Sequence, residues 1–321
     1  MFDVSIVIVC MNNLNNLYPC LNSIKKYTTK VTYETLVVAY LFTQDNIDKV
    51  KADFPWVTFI ESNELRGFSE NNNLALRCAR GKYLFVLNDD TELKMPVIDN
   101  LVKSIERLPS DVAVVSPRSV YADGTIQSCG RPVHTTWTYV KGLFNLWNER
   151  KYILSNEHRR GLFETGDLVG ALFLIKADIF EKIGFFDETY YFCPEDIAVS
   201  FELRKLGYKC YIDCDVDITH YEGMSGGNSV SWVKTATAPA GTKGELIFYS
   251  HRSPVLFLLL ALLTLTALMP RFLLMCVCEL FSRHSSHLRV KRICCQHSIL
   301  ACLSNKTPKE LFIHFYNKIQ K

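Results

Sequence analysis

Apolar positions in the first part of the chain switch between two periods. Val4–Val9 is apolar and β-branched except at Ser5, as a strand buried on both faces should be. A polar break over Asn12–Asn16 follows, and then Leu17, Leu21 and Ile24 recur at helical spacing. That helix runs into Lys25-Lys26, cations suited to a helix C-terminus. Thr35–Tyr40 predicts a strand, Asp45–Asp53 a short helix, and Val57–Glu61 another strand. Ser69–Ala79 predicts a helix stopped by Gly81, and Tyr83–Leu87 a strand ending in Asn88-Asp89-Asp90. Pro96 opens a helix with Val97, Ile98, Leu101, Val102 and Ile105 on one face.

Alternation of strands and helices with short connections predicts a mostly parallel α/β sheet flanked by helices. Such sheets bind ligands outside the carboxyl ends of their strands. Three polar clusters fall there: Asn12-Asn13, Asn63–Gly67 and Asn88–Asp90. After Val114–Pro117 the pattern loosens from Arg131 to Arg160. Regularity returns with a strand over Leu168–Ile175, helices over Ala177–Ile183 and Ile197–Leu206, and a closing strand over Tyr208–Ile212.

Beyond Ser250 the chain changes character. Between Arg252 and Arg271 lie 18 uncharged residues, the lower limit for a membrane-spanning helix. Both flanks are basic, so a single span would set one basic flank on the far side of the membrane, against the positive-inside tendency. An interfacial or re-entrant segment with both ends on the cytoplasmic side of the inner or plasma membrane is preferred. A true span and a buried soluble helix are the alternatives. The net charge of +3 hides this division. Residues 1–250 carry 26 basic and 31 acidic residues, and residues 251–321 carry 10 and 2, giving −5 and +8. The Arg283–Arg292 cluster suits anionic lipid, and basic residues beside an apolar segment argue against nucleic-acid binding. The expected division is therefore a catalytic domain over 1–245 and a membrane-associating helical region over 246–321.

With 321 residues, 48% apolar and 21% charged, the chain is excluded from the disordered, collagen-like and low-complexity classes. Its 12 cysteines include no pair of CxxC motifs, and Cys10 and Cys78 sit in apolar patterns, which reads as free thiols in a reducing compartment. The N-terminus carries Asp3 and no basic region, so it reads as a strand and not a signal peptide.

Three constellations could carry chemistry. Asn88-Asp89-Asp90 at a strand end could hold a hard divalent cation, or simply cap a turn. Glu195-Asp196 opens a helix, where acids are ordinary dipole partners, but one could also serve as general base. His220 precedes a glycine-rich stretch and could complete a metal site beside Asp90, or be a satisfied structural residue.

Taken together these segments resemble family 2 glycosyltransferases of the GT-A fold, in the bacterial rhamnosyltransferase-like branch. The resemblance rests on Val4–Val9, Asn63-Glu-Leu-Arg-Gly-Phe-Ser-Glu-Asn-Asn-Asn, Gly81-Lys-Tyr-Leu-Phe-Val-Leu-Asn-Asp-Asp-Thr, Asp167-Leu-Val-Gly-Ala, Ile183-Gly-Phe-Phe-Asp-Glu, Pro194-Glu-Asp and His220-Tyr-Glu-Gly-Met-Ser. It covers roughly residues 4–228. It implies that Asp90, Asn88 and His220 hold Mg²⁺ or Mn²⁺, and that Asp196 is the catalytic base. Cys10, Met11, Asn12, Arg66, Gly67, Asn71, Asn72 and Asp89 would line the nucleotide-sugar pocket. Asp167, Gly170, Ala171 and Glu195 would lie on the acceptor side.

The implied activity is inverting transfer of a sugar, with dTDP-rhamnose the first donor to consider, to a lipid-linked or polysaccharide acceptor at the cytoplasmic membrane face. Two departures stand out: no acid ends Val37-Val38-Ala39-Tyr40-Leu41, and Cys10-Met11-Asn12 replaces the usual Thr-Tyr-Asn. The alternatives are a catalytically impaired scaffold of the same fold and a sugar nucleotidyltransferase, although Asn12–Asn16 offers no glycine-rich phosphate loop.

Overall fold

The computed structural model describes residues 2–170, 172–221, 230–281 and 285–319. Its first part alternates as expected: β1 (Phe2–Cys10), α1 (Leu14–Tyr27), β2 (Tyr33–Tyr40), α2 (Gln44–Asp53), β3 (Val57–Ser62), α3 (Phe68–Leu76) and β4 (Gly81–Asn88). Then come β5 (Thr91–Glu92), α4 (Val97–Arg107), β6 (Val112–Val120), β7 (Ile126–Ser128), α5 (Thr136–Leu143), α6 (Glu149–Asn156), β8 (Leu162–Thr165) and β9 (Leu172–Lys176). The chain continues through α7 (Ala177–Lys182), α8 (Glu195–Lys205), β10 (Lys209–His220), α9 (Val230–Tyr249), α10 (Pro254–Phe281), α11 (Ser286–Leu303) and α12 (Pro308–Ile319).

The strands form one sheet in the order β3-β2-β1-β4-β9-β6-β10-β5, with β7 on β6 and β8 on β10. β3, β2, β1 and β4 are mutually parallel, and so are β6 and β10. β9 runs antiparallel between the two groups, so the sheet is mixed. A doubly buried strand reads as an apolar run whichever way it points, so its direction is invisible in the pattern.

Alternate residues of β1 feed two cores. Ile6 and Ile8 pack with Leu17, Leu21, Leu101 and Ile105, whereas Val7 packs with Leu76, Phe173, Phe180 and Val199.

Gly81 opens β4 instead of stopping a helix, since α3 already ends at Leu76. A Cβ there would lie 2.4 Å from Ser5 N and 2.7 Å from Val4 C, both backbone atoms. The junction is tied by Ser5 Oγ, which accepts from Gly81 N at 2.8 Å and donates to Glu34 Oε1 at 2.7 Å. Gly81→Ala should therefore cost about 1–3 kcal/mol through overpacking, read as a lower urea midpoint.

The chain divides into two compact units: Met1–Val133, Glu149–Asp187 and Asp196–Gly227 in the first, and His134–Asn148, Glu188–Glu195 and Asn228–Lys321 in the second. Residue 245, the expected domain boundary, lies inside α9. Within the second unit α9 contacts α11 and α12, with His297 Nδ1 2.7 Å from Thr235 O and its ring stacked 3.8 Å from that of Phe315.

Candidate active site

The carboxyl end of β4 carries the acids. Asp89 and Asp90 are 2% and 3% exposed, in a turn held by Thr91 Oγ1 donating to Asn88 O at 2.7 Å. Directly after this turn, β5 pairs antiparallel with the end of β10, which registers Thr91 with His220. Tyr221 N donates to Asp90 O at 2.8 Å, and His220 Nε2 comes within 3.2 Å of Asp90 Oδ1. Asp90 and His220, distant in sequence, are thus brought together by strand register.

Gln127 on β7, unremarked in the sequence, fixes the imidazole. His220 Nδ1 lies 2.8 Å from Gln127 Oε1, which can only accept, so Nδ1 carries the proton. Nε2 then faces Asp90 as the second donor of an imidazolium, or as a lone pair sharing a cation with the carboxylate. The 3.2 Å separation is close to the edge of an octahedral shell built on ~2.1 Å bonds, so the pair fits a small divalent ion. Among the described residues no group of three His, Cys, Asp or Glu side chains converges, so the protein would supply few ligands. That suits a cation completing its shell with phosphate oxygens and water.

Asp196 lies at the same sheet edge. Because β9 is antiparallel to β4 and pairs Leu172 with Leu87, it begins where β4 ends. The Gly166–Gly170 loop before β9 is gripped from α8: Arg204 Nη1 donates to Gly166 O at 2.7 Å and pairs with the fully buried Asp167. Leu168 N donates to Ser200 Oγ at 3.0 Å. Asp167 thus holds this loop in place. Gly170 N in turn donates to Asp196 Oδ2 at 3.3 Å, and Ile197 N to Asp196 Oδ1 at 2.7 Å.

The third donor to Asp196 is Arg131, from the stretch whose pattern had loosened. Its Nη1 reaches Asp196 Oδ2 at 2.6 Å and its Nε reaches Glu149 Oε1 at 2.7 Å. The Asp196 side chain is 17% exposed and that of Arg131 19%. Burial alone would lower the arginine's pKa, but Asp196 and Glu149 outweigh it and raise the value, so the guanidinium stays charged. Nothing in the local pattern around Arg131 marks it, because a long-range ion pair leaves no periodicity.

Gly170 has a steric role as well. A Cβ there would lie 2.8 Å from Asp196 Cβ and 3.1 Å from its Oδ2. Gly170→Ala should displace the carboxylate and lower kcat about 100-fold while the donor KM holds, in initial-rate measurements. Glu195 is buried at the start of α8, while Ala171 and Glu222–Ser225 lie outside the described residues.

The expected nucleotide-pocket residues divide into two sets. Cys10 ends β1, and burial, then the Asp89 carboxylate, push its thiol well above the usual range, keeping it neutral. Met11 is half-buried, and Asn12 takes φ +50°, a left-handed conformation asparagine tolerates. Asn12 Oδ1 accepts from Asn46 Nδ2 at 2.9 Å. Arg66 N donates to the Tyr40 hydroxyl at 3.2 Å, and Gly67 N to Glu70 at 3.0 Å.

Asn71 and Asn72 are buried and bonded within the fold. Asn71 accepts from Ser62 Oγ at 2.8 Å and donates to Gly67 O at 3.1 Å; Asn72 donates to Phe68 O at 3.0 Å. Neighbouring Asn73 exchanges two bonds with the Phe186 backbone, at 2.9 and 3.2 Å, which links the two motifs structurally.

The fold is the GT-A fold of glycosyltransferases. Residues 5–184 match the family model "Glycosyl transferase family 2", more than half of the chain, so the chain belongs to that family. Over 162 residues, 48% of the chain, it is 25% identical to O-antigen biosynthesis protein RfbC of Myxococcus xanthus. Over 244 residues, 70% of the chain, it is 27% identical to the uncharacterized protein y4gI of Sinorhizobium fredii. The matches span only 12% and 25% of those relatives' lengths.

The fold is similar to GalNAc-T7 with UDP, GalNAc and Mn²⁺: TM-score 0.57, 17% identity, over 71% of this chain and 44% of that one. It is also similar to the mannosyltransferase PcManGT of Pyrobaculum calidifontis with GDP-Man and Mn²⁺: TM-score 0.51, 15% identity, over 94% and 86%.

Proposed function

We propose that the chain is an inverting glycosyltransferase acting from a nucleotide-diphosphate sugar onto a hydroxyl of a lipid-linked or polysaccharide acceptor, at the cytoplasmic face of a membrane. One observation carries this reading: an oriented carboxylate, Asp196, shares a sheet edge with the Asp90–His220 pair. In Asp196, Oδ2 accepts from both Arg131 and Gly170, whereas among the described residues Oδ1 accepts only from Ile197 and keeps a lone pair. Asp196 Oδ1 takes the acceptor's hydroxyl proton as the oxygen attacks the anomeric carbon opposite the leaving nucleotide. Arg131 aims the carboxylate, and Glu149 holds the other edge of the same guanidinium.

Asp90 and His220, with Asn88 beside them, would hold Mg²⁺ or Mn²⁺. When bound, the cation supplies neutralising charge to the departing diphosphate. Support comes from the Mn²⁺ and nucleotide sugars or nucleotide of the two structural neighbours. The O-antigen relative supports a surface-glycan acceptor. The first compact unit carries the chemistry in this reading, and the second meets the membrane.

The donor is identified by thermal denaturation against UDP-, GDP- and dTDP-sugars with Mn²⁺, dTDP-rhamnose among them. A donor at 100 times its Kd should stabilise the protein by about 2.7 kcal/mol and raise Tm by several degrees. Absence of a shift with every donor would overturn the reading.

A further inference from the structure

We propose that α10 lies flat in one leaflet of an anionic membrane and does not cross the bilayer. The inference rests on the membrane-face reading above and gives it a definite surface. Among the described residues α10 is the one helix long and apolar enough to span a membrane. At 1.5 Å per residue its 28 residues extend about 42 Å.

Its faces are inverted relative to a helix that meets water. Leu258, Leu262, Leu273, Leu274, Val277 and Leu280 recur at helical spacing over nearly its whole length, and each is 50–69% exposed. Its two charged residues, Arg271 and Glu279, face protein instead. Arg271 Nη2 donates to the Leu143 carbonyl, and Glu279 pairs with Arg292 of α11. An exposed face this long and uncharged, its Thr266 hydroxyl turned back onto Leu263 O at 2.8 Å, calls for an apolar cover.

The inner face decides the orientation. Near mid-helix, Thr264 Oγ1 lies 2.9 Å from the Tyr139 hydroxyl of α5, and Leu268 O accepts from Cys295 of α11 at 3.4 Å. α11 also carries Arg289, Lys291 and Arg292. Were α10 to stand across the bilayer, α5 and the part of α11 around Cys295, with Gln296 and His297, would be drawn into hydrocarbon beside its midpoint, a costly place for polar and ionisable side chains. Lying flat, α10 buries its leucines while both partners keep to the water side. The +8 charge of residues 251–321 selects a leaflet with anionic headgroups.

Flotation of the full-length chain with phosphatidylcholine vesicles, with and without phosphatidylglycerol, tests the surface. Capture should rise about tenfold with phosphatidylglycerol and fall at least about tenfold in the double variant L262E/L274E. Both positions are exposed, so the fold should survive, and an unchanged donor-induced thermal shift would verify that. Orientation is read from Leu258→Trp, Met269→Trp and Leu280→Trp variants with brominated lipids. Equal, shallow quenching at all three supports a flat helix, whereas deep quenching at 269 between two shallow ends overturns it. Failure to float, or a lipid-free dimer that shields the three probes, also overturns it. Loss of the donor-induced shift in the unmodified chain would count against the glycosyltransferase reading alone.

Discussion

Asp196→Asn should lower transfer about 1,000-fold or more while leaving donor binding intact. General-base assistance is typically worth 10²- to 10⁴-fold. The substitution keeps the side chain's shape and its acceptor oxygen, so one of the bonds from Gly170 N and Ile197 N can persist. What disappears is the ability to take a proton. Arg131 retains Glu149 as an anionic partner, which limits the structural cost. The comparison is initial transfer rate against the thermal shift caused by the donor with Mn²⁺. A collapsed rate with a preserved shift assigns the base, and normal turnover would refute the assignment. Loss of both would place Asp196 in the architecture of the pocket instead.

Arg131 shows why the sequence reached one part of this site and not another. β1 to β4 were legible to within a few residues because strands buried on both faces must be apolar throughout. The paired Asp90 and His220 were reached through motifs that resemble a family, and β5–β10 register accounts for their meeting. No motif announced Arg131, Glu149 or Gln127, because each acts through a partner far away in sequence. The apparent end of the last strand at Ile212 had a different cause. Asp213, Asp215 and Asp217 read as a polar break, yet Cys214, Val216 and Ile218 between them are buried. Asp213 accepts from Ser104 Oγ at 2.6 Å and Asp217 pairs with Arg118 at 2.7 Å, so acids alternate along a strand that continues to His220. The asparagines of α3 are a different case: the resemblance sets Asn71 and Asn72 at the nucleotide-sugar pocket, and the bonds described for both side chains close within the fold.

Removing charge from Asp90 should have the second large effect, on donor affinity that depends on metal. Asp90→Asn keeps the size of a side chain that is almost fully buried, whereas Asp90→Ala also removes its contact with His220. If the pair only braces β5 against β10, both variants lose stability and the response to Mn²⁺ is untouched. If it holds a cation, Asp90→Asn should retain most of the folded stability yet lose the Mn²⁺-dependent donor stabilisation, about 2.7 kcal/mol at 100 times the parent's Kd. Transfer should then fall by the several kcal/mol that charge neutralisation at a leaving phosphate contributes. His220→Ala should weaken the Mn²⁺ response less, because a neutral imidazole brings no charge to the site and the carboxylate remains. Titrating Mn²⁺ against donor-induced thermal shift in the three variants separates these cases. An unchanged titration in Asp90→Asn would return the acid to a purely structural role, whatever happened to the rate.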